Sequence, residues 1–158
     1  MDIRDTEILV ADRIDESMAC VIGGGLDAFN DEVTGYADRL PLAVIAKDSA
    51  TGDVLGGALG RSSLGLLFLD LFYLPTPLRN GGLGSRILQR FEEEGRQRGC
   101  RSAVLYTISF QAPKFYERHG WRAFGEIPCD PAGTSRIFMT KDLSVLESLT
   151  KPCPQASR

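Results

Sequence analysis

The stretch LGLLFLDLFYLPTPLRNGGLGS, residues 64–85, decides the fold. From Leu64 to Leu74 it is almost continuously apolar, broken only by Gly65 and Asp70, which is the composition of a central strand covered on both faces. Pro75 and Pro77 end that run. Arg79-Asn80-Gly81-Gly82-Leu83-Gly84-Ser85 then turns the chain into a helix expected from about Gly82 to Arg98, with Leu83, Ile87, Leu88 and Phe91 as its one apolar stripe and Gly99 as its stop. A helix start presents backbone N–H groups without partners and a partial positive charge, so it favours an anion. Glycines let the backbone approach a phosphate closely, and Arg79 adds forked donors. A tight turn with no ligand is the alternative reading of the same residues. The two common phosphate patterns do not fit: no Gly-Lys-Ser/Thr follows, and Ile87 stands where a dinucleotide fingerprint needs its third glycine.

Upstream, residues 7–11 read as a first strand, and Asp15 or Ser17 caps a helix running towards Asn30. Gly23-Gly24-Gly25 divides that helix into two short ones, because each interior glycine costs about 1 kcal/mol. Leu42–Lys47 and Val54–Arg61 form a hairpin around a turn at 48–53. Downstream, Ala103–Thr107 is a strand, Ala112–Arg118 a short helix closed by Gly120, and Trp121–Ile127 and Ser135–Lys141 are the last strands. The order is that of an α/β fold with a mixed sheet and helices on its faces. At 158 residues the chain has room for one domain, expected over residues 1–149, with a polar, proline-containing tail at 150–158 expected to be disordered.

The net charge of −3 hides an asymmetry. Residues 1–60 hold twelve acids and four bases, a net of −8, whereas residues 61–158 carry a net of +5. No apolar run approaches the about 18 residues of a membrane span, and the acidic start Met1-Asp2-Ile3-Arg4-Asp5 is unlike a secretory signal. Cys20, Cys100, Cys129 and Cys153 are scattered without a CxxC pair, which points to reduced thiols in a cytoplasmic protein. Cys100 follows Gly99 with no histidine to activate it, so it reads as structural rather than nucleophilic. His119 is the only histidine, which excludes a multi-histidine metal site, and an acidic pI near 5.2 argues against a nucleic-acid partner.

Arg79-x-x-Gly82-x-Gly84, after an apolar strand and before an amphipathic helix, resembles the acyl-CoA loop of the GCN5-related N-acetyltransferases (GNATs). Ala112-Pro113-Lys114-Phe115-Tyr116-Glu117-Arg118-His119-Gly120-Trp121 resembles the family's A-x-x-F-Y-x-x-x-G-F segment. The resemblance covers roughly residues 3–143 and implies a small, single-domain, bacterial-type member. Its fold would be a mixed, centrally splayed sheet of six to seven strands flanked by helices on both faces. Its reaction would be direct transfer of acetyl from acetyl-CoA, a co-substrate, to an amine, without metal or acyl-enzyme.

The resemblance places pantetheine on Phe72, Tyr73 and Leu74 and the pyrophosphate on Asn80, Gly81, Gly82, Leu83, Gly84 and Ser85, with Arg79 at the edge. Independently, residues 79–101 hold six arginines and three glutamates, a basic rim suited to phosphates. Tyr116 aligns with the tyrosine that protonates the departing thiolate, and its alternative is a half-buried core aromatic. Ser109 stands where many members have a cofactor-binding Asn, a departure that leaves that contact open. Asp70 is the candidate base. By strand alternation it shares a face with Phe72 and Leu74, where apolar neighbours would raise its pKa; a structural Asp, Glu126 or a water chain are the alternatives. His119 reads as an exposed helix-end residue.

The helices around residues 15–38 carry Asp15, Glu16, Asp27, Asp31, Glu32 and Asp38 against Arg39, either an acidic wall that would draw a cationic acceptor such as an aminoglycoside-like drug or a polyamine, or an ordinary charged, solvated helix surface. A protein N-terminus or lysine is the other acceptor class. An acyl-CoA sensor without turnover and a nucleotide-phosphate binder are the rival functions. Family members are often dimers, so a homodimer is among the expectations.

Overall fold

The computed structural model describes residues 6–144; the tail expected at 150–158 lies outside them. The chain divides into two units, Met1–Ala37 and Asp38–Arg158.

The first unit holds one helix, α1 (Glu16–Thr34). Asp15 caps it, its Oδ1 accepting from the Met18 N–H at 2.8 Å and the Ser17 hydroxyl at 2.6 Å, and these bonds hold the Asp15 carboxyl below its usual range. Gly35, at φ +79°, closes it by donating to the Asp31 carbonyl. The helix runs unbroken through Gly23-Gly24-Gly25, so the expected division does not occur. Caps at both ends of a 19-residue helix offset the glycines, each of which stands in open space. Residues 7–11, expected as a first strand, carry no strand structure.

The second unit is a six-stranded mixed sheet, among the described residues, of β1 (Leu40–Lys47), β2 (Val54–Ser63), β3 (Leu66–Tyr73), β4 (Ser102–Ile108), β5 (Arg122–Cys129) and β6 (Thr134–Asp142), in the order β1-β2-β3-β4-β6-β5. All pairings are antiparallel except β3–β4. The amphipathic α2 (Leu83–Gln97) packs Ile87, Leu88 and Phe91 on β1–β3, over Leu67, Leu69 and Ala58. Gly60 lies directly under the Phe91 ring, with its would-be Cβ against the Phe68 carbonyl, so no larger residue fits there. The short helix α3 (Pro113–Arg118) joins the same core through Tyr116 and Trp121. Within this unit the core side of β3 is covered, but Leu71 on its other side is 65% exposed. Within this unit α2 covers one face of β3, and a bulge interrupts its long apolar run.

That bulge falls at Asp70. Leu69 pairs with Gly60 and Leu71 with Leu59, leaving Asp70 as the extra residue. Leu67 and Leu69 before it, and Phe72 and Leu74 after it, all belong to the core side. Strict alternation would put Asp70 with Phe72; the inserted residue breaks the count and leaves Asp70 exposed, away from them.

Candidate active site

β3 and β4 pair only through Leu66–Ser102, Leu67–Ala103 and Phe68–Val104. Beyond these residues the strands part, and a cleft of about 630 Å3 opens between the end of β3 (Phe72, Tyr73, Leu74) and the end of β4 (Thr107). Its volume is that of a small-molecule site. The loop before α2 supplies Arg79, Asn80, Gly82, Gly84 and Ser85 to one end; the segment 110–118 supplies Phe110, Gln111, Ala112, Phe115, Tyr116 and Arg118.

The phosphate end follows from local backbone chemistry. Asn80 (φ +62°) and Gly82 (φ +81°) are both left-handed, which swings the chain sharply into α2. Gly82 is the N-cap and offers no side chain, so the first-turn amides of α2 have no cap of their own. A Cβ on Gly82 would meet nothing, which leaves that space to a ligand, whereas one on Gly84 would touch Leu74 and Phe115 at 3.6 Å. Arg79 donates through Nε to the Leu74 carbonyl at 2.7 Å and lies 5.9 Å from the Tyr73 ring centroid. One bond thus ties the loop to β3, while the terminal guanidinium nitrogens keep their donors for an anion. These residues fit the diphosphate of acetyl-CoA. Gly81 and Leu83 belong to the same loop without lining the cleft, Leu83 packing on the core.

Tyr116 is 7% exposed and wedged between Phe115 (5.2 Å, edge-on) and Trp121 (6.0 Å, edge-on). Burial pushes its phenol up to about 12, so the hydroxyl stays protonated at any physiological pH. Among the described residues that hydroxyl has no hydrogen-bond partner, and Tyr116 lines the cleft. Phe115 stacks on Phe72 at 5.8 Å, which fixes α3 against the splayed end of β3.

The other expected site residues lie elsewhere. The Asp70 carboxylate is held by the Arg61 guanidinium at 2.6 Å, outside the cleft lining, and its expected apolar surroundings are absent. Ser109 Oγ accepts from the Ser135 N–H at 3.1 Å, and its own N–H donates to the Ser135 carbonyl, so it is committed to β6. Glu126 accepts a short hydrogen bond from the Ser135 hydroxyl. His119 bonds the Phe115 carbonyl through Nδ1. Cys100 is buried, and burial pushes its thiol up, which suits a structural role. Thr107 and Gln111 line the cleft without having been expected there. Ala112, Phe115 and Arg118 carried a signal, since they share the segment around Tyr116. Among the described residues no group of three or more His, Cys, Asp or Glu could hold a metal ion, and no helix is long and apolar enough to cross a membrane.

Comparison with known proteins agrees with this geometry. The model of the Acetyltransferase (GNAT) family matches residues 12–121. Acetyltransferase Atu2258 of Agrobacterium fabrum is 29% identical over 133 residues, covering 84% of this chain and 96% of that protein. Blasticidin-S acetyltransferase of Streptomyces morookaense is 37% identical over 113 residues, covering 70% of this chain and 83% of that protein. A crystal structure from Agrobacterium tumefaciens has a TM-score of 0.80 at 28% identity, covering 87% of this chain and 99% of that one. With central strands that part around a cleft and a family match across most of its length, the chain belongs to the Acetyltransferase (GNAT) family and is an acyl-CoA-dependent N-acetyltransferase with acetyl-CoA as its co-substrate.

Proposed function

We infer that the acceptor is a primary amine on a small, cationic molecule of the antibiotic type, and that Tyr116 is the general acid of a direct transfer. The observation that carries the mechanism is the neutral, buried phenol of Tyr116 facing the same cleft as the uncapped amides of α2. In this reading the first-turn amides and Arg79 hold the diphosphate, and Phe72 to Leu74 flank the pantetheine arm. The amine nitrogen bonds to the acetyl carbon, the carbon–sulfur bond breaks, and Tyr116 gives its proton to the leaving sulfur. The amine's own proton leaves through water, because no carboxylate or imidazole is among the described residues lining the cleft.

The acceptor class rests on the 37% identity to Blasticidin-S acetyltransferase and on the acidic segment 15–38. Incubation with acetyl-CoA and a panel of blasticidin S, an aminoglycoside, a polyamine and peptides with free N-termini or lysines, followed by free-thiol release, tests it. Release is expected with at least one small cationic amine and not with the peptides. Release with peptides alone would overturn the acceptor class, and CoA binding without release from any amine would favour a sensor.

A further inference from the structure

Gln111 stands in the loop between β4 and α3, where its carboxamide is both fixed and half-used. Its Oε1 accepts from the Ile108 N–H at 3.0 Å and from the Thr107 hydroxyl at 3.1 Å. A backbone N–H can only donate, so the bond from Ile108 settles which end of the carboxamide is oxygen. The Gln111 N–H donates to the Ile108 carbonyl at 2.7 Å, which closes the loop on itself. Thr107, which helps to hold Oε1, is 4% exposed in the cleft wall. The Nε2 group therefore has a set direction, two donor hydrogens, and no partner among the described residues, on a side chain that lines the cleft. Ser109, two residues earlier, accepts from the Ser135 N–H and is not among the residues that line the cleft.

The geometry points to Gln111 as a binding residue for acetyl-CoA, its Nε2 donating to an amide carbonyl of the pantetheine arm. A neutral group with only donors left matches a neutral carbonyl, whereas the charged diphosphate is served by Arg79 and the α2 amides. The assignment rests on the cleft being the acetyl-CoA site.

Gln111→Glu separates binding from structure. The carboxylate keeps an oxygen for Ile108 and Thr107, so the loop holds, but it replaces the donor with an acceptor. Calorimetry is expected to show CoA binding weakened about tenfold or more, as for a lost hydrogen bond plus an opposed carbonyl, with thermal stability unchanged. The KM for S-acetylpantetheine, which has no phosphates, is expected to rise by a similar factor, excluding simple charge repulsion. Gln111→Leu is expected to weaken CoA as much and also to lower thermal stability. Unchanged CoA affinity in Gln111→Glu, while Gly82→Val loses CoA, would overturn the role of Gln111 and leave the cleft assignment standing. Unchanged affinity in both would overturn the cleft assignment itself. A fall in kcat with CoA affinity intact would move the contact to the thioester and overturn the pantetheine assignment.

Discussion

The Arg61 guanidinium reaches both oxygens of the Asp70 carboxylate at 2.6 Å, and the same guanidinium lies 4.2 Å from the centroid of the Phe68 ring. That carboxylate is bonded to Arg61, and Asp70 is not among the residues that line the cleft. Both side chains are about half exposed, so the pair itself is worth about 1 kcal/mol or less. Asp70→Asn is therefore expected to leave the shape of the pH–rate profile unaltered and to change stability only slightly. A loss of turnover concentrated on the acid side of the optimum would instead make Asp70 the base.

Tyr116 is the opposite case: a buried group whose hydroxyl has no partner among the described residues. Tyr116→Phe removes one oxygen and no protein hydrogen bond, so melting temperature and CoA affinity should stay near wild type. Turnover should fall about a hundredfold or more, the usual contribution of a positioned acid. Equal turnover in the variant would remove the acid role. The same burial makes a spectroscopic prediction. Tyr116 should ionise at about 12, and that step of the tyrosinate absorbance should vanish in the variant. Because the folded-state value is raised, the associated stability is fully present below about pH 10 and is lost as pH rises towards 12.

Gly82 couples backbone conformation to ligand space. At φ +81° a β-branched side chain costs about 1–2 kcal/mol, yet a Cβ there meets no protein atom. Gly82→Val is thus expected to fold with modestly lower stability and to lose CoA binding by calorimetry, since what the side chain would fill is the approach to the α2 amides. Wild-type CoA affinity in a folded variant would remove the loop from the site.

The glycine turn before α2 and the place of Tyr116 beside the cleft were legible because each depends on local sequence: glycines and an arginine at a strand–helix junction, and a tyrosine one turn from a helix-closing glycine. What could not be read were features set by neighbours. Residues 7–11 have strand composition but are not a strand, because composition along one segment does not supply the partner that a ladder requires. The face of Asp70 depends on a one-residue bulge, which alternation along a single strand cannot register. α1 stays whole because Asp15 and Gly35 close both its ends, a balance that counting glycines misses. Gln111 sits between Phe110 and Ala112 with no periodicity to mark it, and it gains meaning only when the Ile108 N–H fixes its carboxamide.

Glu92 shows how α2 holds Tyr116 without touching the cleft. This carboxylate is 3% exposed; its Oε1 accepts from the Trp121 indole at 2.8 Å, and its Oε2 from the Lys141 ammonium at 2.8 Å. Lys141 also donates to the His119 carbonyl at 2.6 Å, and the Trp121 N–H donates to the Tyr116 carbonyl at 3.1 Å. One buried charge therefore ties α2, the end of α3 and β6 together. Glu92→Leu takes the carboxylate away from Lys141, whose side chain is only 10% exposed, and breaking such a pair costs about 3–5 kcal/mol. Chemical denaturation should show that loss, and Glu92→Gln should lose less, because an amide oxygen can still accept from the indole. At temperatures where both variants remain folded, turnover should fall more than CoA affinity, since Glu92 bonds Trp121 and Lys141 rather than the turn before α2. An equal fall in both would mean that Glu92 supports the helix as a whole rather than the placement of Tyr116.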